Sequence, residues 1–292
     1  VLNYPNKDQK NLTKSKVVLN EQTAKAITST TPCVGFIGAG NYASRTLIPA
    51  FKEAGAMLDT LVTSGGISGV HHGNKNQFST ASTETSDLWN SDKINTVSIV
   101  TRHDAHAQQV IDALNSGKNV FVEKPLALAL DELDEIDKSY NKANSSNTVR
   151  LMVGFNRRYA PHVVKMKELL GSHRSPKSII MTVNAGAIPG EHWVQDSLIG
   201  GGRIIGEGCH FIDLMRHLVG HKIISFQATM MGNVPGVEVR EDKASITLCF
   251  DDGSFGTLHY LANGGSAFPK ERVEVFCDDA VLQMDNYRVL TG

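Results

Sequence analysis

The sequence predicts an α/β domain built on a doubly wound parallel sheet, followed by an α+β domain with a mostly antiparallel sheet. Three observations carry this. Short uninterrupted apolar runs alternate with helix-like stretches up to about residue 156, the texture of strands covered on both faces. A glycine-rich turn directly follows the first of those runs. Beyond residue 156, strand-like runs are joined by tight turns such as Asp251-Asp252-Gly253 and Cys277-Asp278-Asp279, the chemistry of antiparallel hairpins. The 292 residues leave room for two domains, expected at residues 32–156 and 157–292 behind a tail of residues 1–31.

Composition narrows the class. With 41% hydrophobic and 20% charged residues the chain is globular rather than disordered, collagen-like or a coiled coil. Its 29 basic and 30 acidic residues leave a net charge of -1, so no sign-biased field draws nucleic acid or anionic lipid. No run reaches the roughly 18 apolar residues of a membrane helix, and residues 1–31 hold no signal-peptide block; a cytoplasmic protein is expected. The four cysteines, Cys33, Cys209, Cys249 and Cys277, stand far apart with no CxxC, which suits buried thiols. No metal-ligand spacing emerges among the histidines either.

The first strand is expected at residues 33–37 (CVGFI), then the glycine turn and a helix from Tyr42 to about Ala54. Residues 57–63 (MLDTLVT) form the next strand, stopped by Ser64-Gly65-Gly66, and residues 96–101 (TVSIVT) a further one. Asp104 is expected to cap a helix that Gly117 ends, before a strand at 119–123 (NVFVE), a charged helix at 131–144 and a strand at 149–154. In the second domain, helices are expected at 161–170 and 209–218, with strands around 179–187, 223–231, 244–250, 255–261, 273–277 and 281–284.

Gly38-Ala39-Gly40-Asn41-Tyr42-Ala43 fits GxGxxA between a strand and a helix, the context of a Rossmann dinucleotide fingerprint. Gly38 permits the sharp turn, Gly40 lets the backbone approach a pyrophosphate, and Ala43 keeps the helix close to the sheet. Free NH groups around Asn41 and Tyr42 would then hold the phosphates. The alternatives are an ordinary glycine turn or the related loop of a methyltransferase; the further βαβ series favours the dinucleotide. An acidic residue at the end of the second strand would select NAD over NADP, but that position reads Thr63-Ser64-Gly65-Gly66. Ser64 is a candidate for the ribose and Arg45 for a 2′-phosphate, leaving NAD or NADP open. Thr101 and Glu123, at later strand ends, are further candidates for the cofactor.

Lys124 follows a buried strand at the carboxyl end of the sheet, where doubly wound folds bind ligands. Pro125 restricts its backbone and permits a cis bond, which would fix where the ammonium points. A solvated surface charge is the competing reading.

At this point the chain resembles the glucose-fructose oxidoreductase, inositol dehydrogenase and MocA family (Gfo/Idh/MocA). The matching stretches are GFIGAGNYA at 35–43, VSIVTRHDAHAQQVIDALNSGKNVFVEKPLAL at 97–128, VGFNRRYAP at 153–161 and GGRIIGEGCHFIDLMRHLVG at 201–220. The resemblance is closest to the C-terminal module of bi-domain oxidoreductases, in which a zinc alcohol dehydrogenase-like domain precedes this one. It implies that Tyr4-Pro5 and Val17-Val18-Leu19 are remnants of the domain junction, and that C-terminal elements of intact members lie beyond Gly292. It also implies a homo-oligomer formed through the open sheet face and a carbohydrate-type substrate.

The resemblance carries roles to particular residues. Lys124, in Glu-Lys-Pro, would border both nicotinamide and substrate hydroxyl. His210 aligns with the catalytic histidine, but the aspartate expected four residues earlier is Gly206, and Glu207 is the nearest substitute. His106 aligns with a histidine near the nicotinamide, while His103 stands in place of an asparagine and Arg102 in place of a proline. Arg157 and Tyr159 are candidates to anchor the substrate, with a structural salt bridge as the alternative. His192 and Trp193 offer a ring face to a sugar. Asp213 would hold His210 or pair with an arginine. The implied activity is hydride transfer between a secondary alcohol and NAD(P), with Lys124 and His210 moving the proton. A non-catalytic dinucleotide sensor or an interaction module on the same fold is the competing reading.

Overall fold

A computed structural model describes residues 14–20, 31–146, 148–171 and 175–292. Contacts divide the chain into two compact units. The first is Val1–Thr101 with Ala105–Glu123 and Ala129–Met152; the second is Val153–Gly292 with Arg102–Asp104 and Lys124–Leu128. Two short segments, one carrying His103 and the other Lys124, therefore leave the expected first domain and join the second unit.

The first unit is a seven-stranded sheet in the order β1-β4-β3-β2-β5-β6-β7, with β1 at Lys16–Val18, β2 at Cys33–Ile37, β3 at Met57–Val62, β4 at Thr80–Ser82, β5 at Thr96–Ile99, β6 at Asn119–Val122 and β7 at Leu151–Val153. The pairs β4-β3, β3-β2, β2-β5 and β5-β6 are parallel. Every residue of β2 is buried, as its unbroken apolar sequence requires. Phe36 meets Phe51 and Phe78 edge-on at 5.3 and 5.8 Å, closing the core over β2.

Four features depart from the expectation. Lys16–Val18, read as tail, forms β1 and pairs antiparallel with β4; Tyr4-Pro5 lies outside the described residues. The Gly65-Gly66 stop instead opens a helix, α2 at Gly66–Asn76, because Gly65 serves as its extended N-cap. The first helix begins with a π-helical turn, Ala43–Leu47, before α1 at Ile48–Glu53. Asp104 does not cap: it lies in a 3₁₀ turn, His103–Ala105, and Ala105 precedes α4 at His106–Asn115 without a side-chain cap. Helices α3, Ser86–Trp89, and α5, Leu130–Ser146, complete the unit.

The second unit is a seven-stranded sheet, β14-β13-β12-β8-β11-β10-β9. Its strands are β8 at Ser178–Asn184, β9 at Ile223–Met230, β10 at Lys243–Phe250, β11 at Phe255–Leu261, β12 at Glu271–Cys277, β13 at Ala280–Asp285 and β14 at Val289–Thr291. All pairs are antiparallel except β8 with β11. Asp278 and Asp279, at φ 47° and 62°, make the two-residue β12–β13 turn that tight right-twisted hairpins need.

Along β10 the residues Ala244, Ile246, Leu248 and Phe250 are buried, alternating with half-buried positions. Of these, Ile246, Leu248 and Phe250 join Met181, Val183, Leu258 and Tyr260 in a core with α6, Pro161–Leu170, and α7, Cys209–Val219. Helix α6 buries Val163, Met166 and Leu170, the three- and four-residue spacing of one helical face. On the opposite sheet face Ser245 and His259 bond at 2.9 Å and Thr247 and Thr257 at 3.0 Å.

Candidate functional site

The glycine turn of the first unit is shaped by what a side chain would strike. Gly38 has φ +101° and donates its N–H to Val62 O at 2.9 Å; a Cβ there would lie 2.4 Å from Val100 O. Only glycine fits. Gly40 is the reverse case, with nothing within 4 Å of a Cβ built on it. The helix starts here, Ser44 N donating to Gly40 O at 2.9 Å, while Ala43 is fully buried and Asn41 and Tyr42 are exposed. An open backbone at a helix start offers unpaired N–H groups and the positive end of the helix dipole to an anion. The fit is to a dinucleotide pyrophosphate.

At the end of β3, Thr63 Oγ1 donates to Gly65 O at 2.8 Å and Ser64 is exposed; neither a carboxylate nor an arginine stands in this turn. Arg45 is exposed on the first helix. Glu123 is half-buried, its N–H bound to Ile99 O at 2.9 Å. Thr101 Oγ1 donates to Gln109 Oε1 at 2.9 Å, and Thr101 O lies 3.2 Å from His106 Nε2. His106 is 0% exposed: the first residue of α4 turns into the interior.

In the second unit the Lys124-Pro125 bond is cis, and Lys124 Nζ donates to Gly206 O at 2.8 Å. Gly206 belongs to a π-helical turn, Ile204–Gly208, that leads into α7. Such turns recur at functional sites because the extra residue frees backbone groups. A Cβ on Gly206 would lie 3.0 Å from His103 Cε1 and 3.4 Å from Gly200 O. A side chain at position 206 would therefore press on the His103 ring. Its Nδ1 lies 2.8 Å from Gly200 O, and because a carbonyl only accepts, Nδ1 carries the proton. The His103 ring meets Trp193 edge-on at 5.0 Å, and Arg102 stands over Trp193 at 5.6 Å. His103, expected among the cofactor residues, is therefore packed with a residue expected to face substrate. His192 is exposed, with Nδ1 accepting from Val194 N at 3.3 Å.

His210 is 6% exposed, four residues beyond Gly206 and one helical turn along, and its Nδ1 has no hydrogen-bond partner. Burial, then the charges of Arg157 and Lys124, push its pKa down to about 3, so its imidazole is neutral at physiological pH. Asp213 does not hold it. Arg158 takes both Asp213 oxygens, Nε reaching Oδ2 at 2.6 Å, which is the arginine-pairing alternative.

Arg157 takes its salt-bridge alternative, and the expectation for Glu207 is corrected. Arg157 donates to Glu271 from Nε at 3.0 Å and Nη2 at 2.5 Å and stacks over Phe211 at 4.5 Å, so its fork is spent on a structural pair. Tyr159 stands 65% exposed. Glu207, expected as a substitute partner for His210, instead accepts from Arg203 Nη2 at 2.7 Å, Lys270 Nζ at 2.7 Å and Tyr260 OH at 2.5 Å. Burial alone would raise its pKa, but the bonds from Arg203, Lys270 and Tyr260 outweigh it and hold the carboxyl at about 2. It is an anchored anion, neither acid nor base.

The Glu207 pKa has a measurable consequence. A carboxyl held at about 2 when folded, against an ordinary 4.5, stabilises the fold above pH 4.5, and that share is lost as pH falls towards 2. It is on the order of 3 kcal/mol. Glu207→Gln is expected to be less stable at pH 7 and to lose less further stability between pH 4.5 and 2, as read by urea unfolding. An unchanged acid limb would show that Glu207 carries no such share.

The parallel sheet, the open glycine turn and the separate antiparallel sheet define a two-domain dinucleotide-binding protein of the Rossmann type. Two family models match it: the oxidoreductase family with NAD-binding Rossmann fold over residues 33–155, and the GFO/IDH/MocA C-terminal domain over residues 167–283. The chain belongs to the Gfo/Idh/MocA family. The uncharacterized oxidoreductase YrbE of Bacillus subtilis is 29% identical over 210 residues, covering 70% of this chain and 59% of that protein. The myo-inositol 2-dehydrogenase of Thermotoga maritima is 26% identical over 203 residues, covering 68% and 58%. The chain thus spans under three-fifths of the length of these curated relatives. Levoglucosan dehydrogenase, solved in complex with NADH and levoglucosan, shares the fold with a TM-score of 0.76 at 20% identity, over 88% of this chain and 74% of that one. No helix among the described residues is long and apolar enough to cross a membrane.

Proposed function

We propose that this chain is an NAD(P)-dependent oxidoreductase that interconverts a secondary alcohol and a ketone on a sugar, nucleotide sugar or polyol. The observation that carries the reading is Lys124, its ammonium fixed on Gly206 O one helical turn before the buried, neutral His210. The inositol dehydrogenases among its relatives support a polyol-type substrate. The dinucleotide would be held at Gly38, Gly40 and the helix that follows, and supplies the hydride acceptor or donor when bound.

The residues of the chain account for the proton. When the alcohol loses hydride its hydroxyl proton must leave, and an ammonium at Lys124 Nζ steadies the oxygen as negative charge grows on it. His210, held neutral, does not keep that proton, but its imidazole can relay it onward, one ring nitrogen taking a proton as the other gives one up. In the reducing direction the pair returns it. A cytoplasmic setting, self-association through the open sheet face and a covalently linked zinc alcohol dehydrogenase-like domain upstream belong to the same proposal, the last resting on the four matching stretches.

One observation favours the second reading, a non-catalytic sensor: Gly206 has no carboxylate and Glu207 is sequestered. Titration of the purified chain with NADH and NADPH, followed by nicotinamide fluorescence, tests the cofactor half of the proposal. Saturable one-to-one binding is expected for at least one, and the tighter of the two settles the 2′-phosphate question. Binding of neither would remove the dinucleotide site. Binding without NAD(P)⁺ reduction by any polyol or sugar would leave the sensor.

A further inference from the structure

The cations of the second-unit site outnumber the carboxylates that meet them. Lys124 is half-buried and its ammonium bonds to a carbonyl, Gly206 O, rather than to an anion. Arg102 is exposed to solvent and lies over the Trp193 ring, so it adds charge at the rim of the site rather than a buried cation in need of a partner. Neither has a carboxylate within salt-bridge distance among the described residues. Lys270 has one, but shares Glu207 with Arg203 and Tyr260. Position 206, a glycine, supplies no charge beside Lys124, and a side chain there would press on the His103 ring, 3.0 Å from where its Cβ would be. A half-buried ammonium without a counter-ion is costly.

These groups are contiguous. Arg102 stacks on Trp193, Trp193 on His103, His103 packs against Gly206, Gly206 O holds Lys124, and the next residue, Glu207, holds Lys270. One turn further along α7, His210 Nδ1 is buried without a partner. The constellation combines a flat aromatic ring, unpaired cations and a buried unpaired polar nitrogen. A ring bearing hydroxyls and a carboxylate matches it: apolar face on the indole, hydroxyl at Lys124 and His210, carboxylate among the cations.

We infer that the substrate is an acidic sugar, a uronate or aldonate, whose carboxylate supplies the negative charge that the glycine at position 206 does not carry. The inference rests on the dehydrogenase reading and refines its substrate. A neutral polyol would leave the ammonium uncompensated, whereas an acid would be drawn in and oriented by it.

The test is calorimetric titration of the full chain, saturated with the tighter-binding reduced nicotinamide, with D-glucuronate and D-galacturonate, D-gluconate, and the neutral D-glucose and D-galactose. At least one acid is expected to bind about tenfold or more tightly than its neutral counterpart, the gap narrowing as salt is raised. Lys124→Met and Arg102→Ala should each shrink that preference. Equal or tighter binding of the neutral sugars overturns the inference, as does binding of none of the acids. So does a Lys124→Met variant that loses NADH affinity while keeping its acid preference, for the cation would then serve the cofactor. Reduction of NAD(P)⁺ by neutral polyols without an acid preference would sink the inference and leave the dehydrogenase reading standing.

Discussion

Lys124→Ala is expected to lower NAD(P)⁺ reduction by about a hundred- to a thousand-fold, the range lost with a group that stabilises charge growing on an oxygen, while nicotinamide affinity stays within about threefold. The side chain ends on a backbone oxygen, Gly206 O, so its loss leaves no buried carboxylate unpaired and the fold should tolerate it. Its contribution is then read in turnover rather than in stability. His210→Ala should move turnover in the same direction by less, since a neutral imidazole with an unpaired Nδ1 can relay a proton but brings no charge to the developing alkoxide. The pH profile separates the two. A group held at about 3 is already neutral through pH 5–8, so His210 should add no step there, and removing it should lower the profile without moving its inflections. If Lys124→Ala leaves turnover and affinity both unchanged, the mechanism is wrong and the sensor reading takes its place.

The fold was legible where one physical signal acted alone. The buried run CVGFI marks β2 at its observed bounds, and the helix expected at 161–170 is α6. Elements whose existence depends on partners elsewhere were not legible. Lys16–Val18 is only three residues long and exposed throughout, and becomes a strand only because β4 offers an open edge. Helix α2 has glycines at Gly66, Gly69 and Gly73, which lower helix propensity; two of them are buried because their faces pack closely on Thr63 and Leu19.

The site divides the same way. Lys124 and His210 could be named from local motifs and from the resemblance. The partners of Glu207 could not, because Arg203 sits one turn before it but Lys270 and Tyr260 arrive from 63 and 53 residues away. Proximity in sequence made Glu207 look like a partner for His210. Three donors outweighed that proximity. Likewise, the glycine at 206 reads in sequence as a missing group, while in three dimensions it lies close against the His103 ring.

The two glycines of the turn should separate folding from binding. Gly38→Ala is expected to destabilise the first unit by about 2–5 kcal/mol, the sum of a positive φ that alanine resists and overpacking against a backbone atom. The displaced atom would be Val100 O, only 2.4 Å from the new methyl, and a strand-end carbonyl cannot swing aside as a flexible side chain would. Its melting temperature should fall by roughly 5–15 °C. Gly40→Ala meets no such obstacle: its φ is not positive, nothing lies within 4 Å of the new methyl, and stability should stay within about 0.5 kcal/mol. Yet that methyl stands where a pyrophosphate must approach the backbone, so NADH affinity should drop on the order of a hundredfold or more. The combination of an intact melting curve with lost binding at Gly40 is the signature of a site, because strain or misfolding would lower both together. A Gly40→Ala variant that binds NADH normally would mean that the glycine turn is a fold element alone, and the dinucleotide would have to be sought elsewhere on the sheet.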